Sequence, residues 1–168
     1  MSQVREFELL HGIVLTKVLR TDGATLRLIE TDVKRAWAAY TINDEVIIYV
    51  KYALTNRETK REGKSVWAFP FQPSELGKIM TLREGKPVYA GLVCGLTDIK
   101  LHKEMQVCLL DPNQLYDCID LGSNKTQTIN VEYKSGASLR AYGPNNSEER
   151  RKFVVSRNKL DEWKVPGT

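Results

Sequence analysis

The strongest constraint on the fold is a pair of β-rich runs separated by only two residues. The first run covers residues 36–42 and the second covers residues 45–54, with Asn43-Asp44 between them. Asn and Asp tolerate the backbone conformation of two-residue turns, so this pattern predicts an antiparallel hairpin. Residues 46–50, with the sequence VIIYV, are apolar on both faces of their strand. Such a strand lies in the middle of a sheet that is covered above and below.

Helical patterns occur on both sides of this hairpin in the chain. Apolar residues at spacings of three and four predict one helix over residues 3–20 and a second from Pro73 to about Gly85. A third helix is predicted after Asp111, because an N-cap residue followed by Pro112 is typical of a helix start.

The remaining alternating or apolar runs predict short strands. They cover residues 25–31, 65–71, 88–94, 105–110, 128–133, 139–142 and 152–155. The strand over 88–94 carries no charge on either face and is expected to be central too. The element order α-β-β-β-β-α-β-β-α-β-β-β predicts a two-layer α+β fold, in which helices pack on a mixed central sheet.

Composition favours one globular domain. The chain has 168 residues, of which 42% are hydrophobic and 27% charged, so it buries a sizeable core without disulfides or metals. We expect a single domain over residues 1–168. Within it, residues 1–95 form an α/β core, and residues 96–168 form a strand-rich extension that completes or extends the same sheet.

Charge and cysteine content narrow the classes of partner and location. The net charge of +4 is spread evenly along the chain, which permits a nucleic-acid partner without requiring one. No apolar run has the roughly 20 residues of a membrane helix, and residues 1–6 do not begin a signal peptide. Cys94, Cys108 and Cys118 stand in apolar contexts, without CxxC spacing, and are expected to be core thiols. We therefore expect a cytoplasmic protein with no metal site and no cofactor.

The order of elements over residues 3–95 resembles the core of the restriction-endonuclease-like fold, the PD-(D/E)xK nucleases. In that family a carboxylate on the second strand, an acid-x-Lys motif on the third strand and often a Glu on the first helix hold a divalent metal. The third strand here reads Tyr49-Val50-Lys51, so a tyrosine stands where the acid is expected. The resemblance implies that Lys51 and Glu30 are the residues of the catalytic position. The missing acid predicts a degenerate site, and hence a non-catalytic domain that binds nucleic acid or protein.

An active nuclease is the alternative, with Mg²⁺ or Mn²⁺ held by Glu30, by Glu6 or Glu8, and by a further carboxylate that the sequence does not identify. Glu45 lies about 20 Å along the strand from Lys51, too far to share one metal centre, and Asp44 lies farther still. A structural role explains the same residues differently. Asp44 suits the hairpin turn, and the Lys51 stem covers Tyr49 while its amine reaches water. Several shorter segments, over residues 39–44, 49–52, 67–69 and 88–94, also resemble small uncharacterised prokaryotic proteins.

A polar loop over residues 55–64 holds the candidate nucleic-acid-binding residues, which together with Lys51 are Arg57, Lys60, Arg61 and Lys64. Aromatic residues of the first sheet would form a stacking platform for single-stranded nucleic acid if they share an exposed face. They would otherwise fill the core beneath a helix. These aromatic residues are Trp37, Tyr40, Tyr49, Tyr52, Trp67, Phe69 and Phe71.

His11 is expected to be a packed surface residue and His102 a loop residue, so neither is predicted to be catalytic. Self-association through the strand of Trp67, Phe69 and Phe71, or through the C-terminal strands, is a third possible function.

Overall fold

A computed structural model describes residues 5–54, 57–59 and 63–167. Four α-helices are assigned in these residues: α1 at Glu6–Leu19, α2 at Pro73–Gly85, α3 at Pro112–Cys118 and α4 at Lys159–Glu162. The first five strands are β1 at Leu26–Asp32, β2 at Trp37–Ile42, β3 at Val46–Leu54, β4 at Arg57–Thr59 and β5 at Lys64–Phe71. The other five are β6 at Val88–Gly95, β7 at Gln106–Leu110, β8 at Gln127–Lys134, β9 at Leu139–Tyr142 and β10 at Phe153–Val155. Two 3-10 segments lie at Ile99–Glu104 and Glu149–Arg151.

The predicted α+β class and element order are confirmed, with β4 and α4 as additions. The first sheet has the strand order β1-β2-β3-β6-β7. Strands β3 and β6 are parallel, and the other neighbours are antiparallel. The strand over 46–50 therefore lies in the middle of the sheet, as its two apolar faces predict.

The β2–β3 hairpin forms as predicted, with a two-residue turn. Asn43 and Asp44 have φ angles of 53° and 57°, so both adopt the left-handed conformation that matches the twist of the flanking strands. The turn sets the register in which Trp37 faces Lys51 and Ile42 faces Val46.

Of the strands after residue 95, β7 extends the first sheet beside β6, whereas β8, β9 and β10 neither complete nor extend it. They form a second, antiparallel sheet with the order β10-β9-β8-β5-β4. Strand β5 joins this sheet because its residues alternate: Trp67, Phe69 and Phe71 are buried, whereas Ala68 and Pro70 are exposed. A strand with one apolar face suits an open antiparallel sheet better than the doubly covered first sheet.

The second sheet adds a layer that the sequence does not predict. One face of the first sheet packs against α1, through Leu10, Val14 and Val18. The other face packs against α2, α3 and the inner face of the second sheet in one continuous core. All three cysteines are buried and unbonded to one another, which confirms them as core residues.

Candidate functional site

Lys51 lies near the carboxyl end of β3, on the face that packs against α2. It is in register with Trp37 on one side and Leu92 on the other. Only 3% of its surface is exposed, so the prediction that its amine reaches water is wrong. The Nζ atom instead donates to Glu75 Oε1 at 2.6 Å and to the backbone carbonyl of Arg35 at 3.3 Å.

Glu75 supplies the carboxylate of this site, from the first turn of α2. Its Oε1 atom also accepts the Tyr49 hydroxyl at 2.8 Å, and its Oε2 atom accepts the backbone N–H of Gln72 at 3.0 Å. Glu75 is 2% exposed. Tyr49, at the position of the missing acid, thus hydrogen bonds to an acid that comes from the helix instead of the strand.

Sequence reasoning missed Glu75. Its position three residues after Gln72 indicates a capping box, in which a side chain bonds back to the start of the helix. The capping box explains only the contact of Glu75 Oε2 with the backbone N–H of Gln72. The partners of the second oxygen lie 24 and 26 residues away in the chain, where local spacing carries no information.

Aromatic rings enclose the ion pair. The Trp37 ring stacks on the Tyr49 ring with centroids 5.0 Å apart, and the Lys51 Nζ atom lies 5.2 Å from the centroid of the Phe71 ring. Trp67 and Phe69 are also 2% or less exposed. The prediction that the aromatic residues fill the core is confirmed for these five, and no stacking platform forms on this face. Tyr40 and Tyr52 are half-buried and pack against the core on the other face of the first sheet.

Burial governs the protonation of the site. It lowers the pKa of Lys51, an effect that the hydrogen bond and charge of Glu75 oppose. Burial also raises the pKa of Tyr49, and the neighbouring carboxylate of Glu75 raises it further. The Tyr49 hydroxyl therefore stays protonated and acts as a hydrogen-bond donor.

The acids proposed for an active nuclease do not meet at Lys51. Glu30 pairs with Ala39, which pairs with Tyr49, so Glu30 and Lys51 share a face of the sheet. Glu30 is exposed, however, and its carboxylate binds Lys78 of α2 at 2.5 Å. It also lies two strands from β3, about 10 Å across the sheet.

The acids of α1 and of the hairpin turn lie elsewhere. Helix α1 packs on the opposite face of the sheet, where the Glu8 carboxylate accepts the backbone N–H of Arg5. Glu6, also on α1, interacts with the Tyr52 hydroxyl. The pKa of Tyr52 is raised to about 12, mainly by burial and secondly by the hydrogen bond and charge of Glu6. Asp44 pairs with Lys86 at 3.2 Å, at the far end of β3.

A divalent metal does not fit the residues around Lys51. Three donors already occupy the two oxygens of Glu75, which is the carboxylate in contact with Lys51. Within residues 5–54, 57–59 and 63–167, no three His, Cys, Asp or Glu side chains are close enough to hold an ion together. The site is a closed ion pair that can orient β3 against α2.

Of the basic residues predicted to bind nucleic acid, those that the structure describes lie on the second sheet, away from Lys51. Arg57 and Lys64 are on the neighbouring strands β4 and β5, and Lys60 and Arg61 lie outside the described residues. Phe71 of β5 is the residue beside Lys51. Lys64 lies seven residues before Phe71, so about 23 Å of strand separates Lys64 from the position of Lys51. The structure therefore does not bring Lys51 together with Lys64, and the burial of Lys51 keeps its ammonium group away from any external ligand.

His11 is packed, as predicted, but it is not a surface residue. It is 2% exposed, its ring lies 4.0 Å from the Phe7 ring, and its Nε2 atom is 3.2 Å from the Ala36 carbonyl. The pKa of His11 is lowered to about 4, mainly by burial and also by the charge of Lys51, while the hydrogen bond to Ala36 opposes this shift. His102 is exposed, next to β7.

Comparison with known proteins adds no relative. No family model matches this chain, and neither a curated protein nor a solved structure matches it. Among the described residues, no helix is both long enough and apolar enough to cross a membrane.

Proposed function

We propose that this protein is a non-catalytic nucleic-acid-binding domain. In this proposal the first sheet is a nuclease-like scaffold, and the outer face of the second sheet binds the nucleic acid. The observation that carries the non-catalytic part is the buried contact between Lys51 and Glu75. A catalytic lysine must touch substrate or metal, whereas this one is enclosed by Tyr49, Phe71 and α2.

The outer face of the second sheet supports the binding part of the proposal. Trp67 and Phe69 of β5 face the core in register with Val131 and Ile129 of β8, so the residues that alternate with them along both strands lie on the outer face. Lys64 of β5 and Lys134 of β8 face each other in register, at the end of the sheet that holds the β4–β5 connection. Residues 57–64 carry four basic and two acidic side chains, a net charge of +2.

A charged network extends from Lys64 across the sheet. Lys64 lies 4.0 Å from Glu132, which in turn binds Lys152 at 3.1 Å. Arg140 and Lys152 both pair with Glu149. The basic groups outnumber the acidic ones in this network, and the Lys152 Nζ atom lies 4.3 Å from the centroid of the Tyr142 ring. Lys152 itself is largely buried, so Lys64 and Arg140, whose side chains are 30% and 39% exposed, are the basic groups of this network that the phosphates of a single strand can reach.

The test measures binding of labelled single-stranded DNA, single-stranded RNA and duplex DNA by fluorescence anisotropy over a range of salt concentrations. The Lys64→Gln/Lys134→Gln variant is expected to bind single strands about tenfold more weakly, or worse. The slope of log K against log salt is expected to become shallower by about 1.4, because two phosphate contacts are lost. Lys34→Gln/Lys125→Gln is the matched control, because Lys34 and Lys125 are exposed lysines outside this face. It should retain wild-type binding.

Two results would contradict the proposed binding surface. One is an equal loss in both double variants, which would indicate charge attraction without a defined surface. The other is no binding of any nucleic acid at low salt, which would favour a protein partner instead.

Cleavage assays with Mg²⁺ and Mn²⁺ test the non-catalytic part separately. No cleavage is expected from the wild-type protein. Metal-dependent cleavage that disappears in Lys51→Met/Glu75→Gln, a variant that replaces the ion pair by uncharged side chains of similar size, would favour the active nuclease. Circular dichroism of the variant checks that it remains folded.

A further inference from the structure

Strand β1 is one of the two edge strands of the first sheet, and most of its residues are exposed. Among the described strands it pairs with β2 alone. Its central residues Leu28 and Ile29 are 53% and 40% exposed. An edge strand with adjacent exposed apolar residues is a template for pairing with another strand.

A β-bulge at Ile29 changes which side chains of β1 share a face. Arg27 pairs with Thr41, and Glu30 pairs with Ala39. Thr41 and Ala39 are two residues apart on β2 and so point to the same face. Arg27 and Glu30, which three-residue spacing would place on opposite faces of a regular strand, therefore lie on one face.

This arrangement makes β1 complementary to itself. If two copies of β1 pair antiparallel about a two-fold axis at Leu28 and Ile29, Arg27 of each copy faces Glu30 of the other. The same axis brings the exposed apolar residues of both copies together. Opposite charges directly across a pair of strands stabilise the pairing, and like charges oppose it.

The charges needed for this contact are in place. Within the described part of the chain, Arg27 has no ion-pair partner. Glu30 binds Lys78, but a carboxylate has two oxygens and can accept a second cation. In the paired arrangement Glu30 would lie between Lys78 of its own chain and Arg27 of the other copy.

We propose that the protein forms a symmetric dimer in which two copies of β1 pair antiparallel, to make a continuous ten-stranded sheet. A two-fold contact of this kind is closed, because it uses the only unpaired edge that β1 has and leaves none for a third copy. The contact lies on the first sheet, so it leaves the outer face of the second sheet accessible.

Sedimentation equilibrium of the full chain tests the dimer through a charge swap. Arg27→Glu and Glu30→Arg should each weaken the dimer about tenfold or more, because each places like charges opposite one another twice. The double variant Arg27→Glu/Glu30→Arg should restore dissociation within about threefold of wild type. The arginine introduced at position 30 lies near Lys78 in both the monomer and the dimer. The repulsion between these two cations therefore largely cancels in the dissociation free energy.

Arg150→Glu and Glu84→Arg are the matched controls, because both residues are exposed and lie outside β1; they should leave dissociation unchanged. A wild-type monomer at about 1 mM, where even a contact of only ~4 kcal/mol would be half populated, would overturn the proposal. A dimer that neither single charge reversal weakens would also overturn it, because association would then use another surface. Failure of the double variant to recover association would likewise rule out the Arg27 to Glu30 contact.

Discussion

The Lys51 ammonium group is buried with the Glu75 carboxylate 2.6 Å away and the Tyr49 hydroxyl bound to the same oxygen. Removing one partner of such a pair leaves an uncompensated charge and typically costs about 3–5 kcal/mol. Replacing both partners by uncharged groups costs much less. The ion pair therefore fixes the position of α2 against β3. The net contribution of the ion pair to the free energy of unfolding is small compared with the cost of removing one of its two partners.

His11 is a further buried ionisable residue, and its protonation state depends on its surroundings. Its Nε2–H donates to the Ala36 carbonyl, and no described residue hydrogen bonds to its Nδ1 atom. A proton on Nδ1 would be a buried donor without an acceptor, near the charge of Lys51. The neutral ring is therefore strongly favoured in the folded state.

The pKa of His11 predicts a loss of stability in acid. The folded value of about 4 is below the ordinary value of 6.5, so the unfolded chain binds a proton first as the pH falls. The contribution of His11 is fully present above pH 6.5 and is lost progressively down to about pH 4. The expected loss in the free energy of unfolding is about 3 kcal/mol.

Urea unfolding at pH 7 and pH 4, followed by circular dichroism, measures this loss. His11→Gln is the reference, because it cannot titrate and shares every other ionisable group with the wild type. The wild type should lose about 3 kcal/mol more than the variant between the two pH values. An equal loss in both proteins would contradict the low pKa.

At the scale of elements, the β2–β3 turn combines two left-handed residues with side-chain contacts. The Asn43 Oδ1 atom accepts the backbone N–H of Thr25 at 2.7 Å, and its Nδ2 atom donates to the Pro166 carbonyl at 3.0 Å. The turn residue thus joins the hairpin to the start of β1 and to the C-terminal segment. Its turn conformation is predictable from the sequence, but these two partners are not.

Asn43→Ala is expected to lower the free energy of unfolding by about 2–3 kcal/mol, because it removes the side-chain hydrogen bonds and places alanine in the left-handed region. Asp44→Gly is the control at the adjacent position. It should be neutral or raise stability by about 0.5 kcal/mol, because glycine favours this conformation and the lost ion pair to Lys86 is at the surface. Thermal unfolding measures both. An Asn43→Ala variant as stable as the wild type would contradict the role of these contacts.

Trp67 joins the two sheets of the protein. It belongs to β5 of the second sheet, and its Nε1–H donates to the carbonyl of Gly95, on β6 of the first sheet, at 2.8 Å. The ring is 2% exposed and lies in the continuous core between the sheets. Both sheets should therefore unfold in one transition, since neither keeps its inner face covered alone.

Trp67→Phe is expected to cost about 2–4 kcal/mol, because it leaves a cavity and an unpaired carbonyl between the sheets. Trp163→Phe should cost less, since Trp163 is only half-buried at the edge of the other core. Urea unfolding followed by tryptophan fluorescence and by circular dichroism measures the cost and tests for a single transition. Separate midpoints from the two signals would show that the sheets unfold independently.

Most helices and strands of this chain are predictable because their signals are local. The two-residue turn, the proline starts of α2 and α3 and the two-faced apolar pattern of β3 depend on neighbours within a few residues. The sequence also predicts that Trp67, Phe69 and Phe71 share one face. It does not say which sheet their strand joins, because pairings between distant strands differ little in local pattern.

The α+β class, the order of the elements and the central position of β3 follow from local sequence patterns. That β5 pairs in the second sheet, and that the carboxylate beside Lys51 comes from α2, depends on contacts between distant parts of the chain. Hydrophobic periodicity reports which face is buried, whereas packing decides what lies against it. Packing determines that Lys51 is enclosed and bound to Glu75, whereas the sequence pattern predicts that its amine reaches water. The non-catalytic function proposed for the protein depends on this burial.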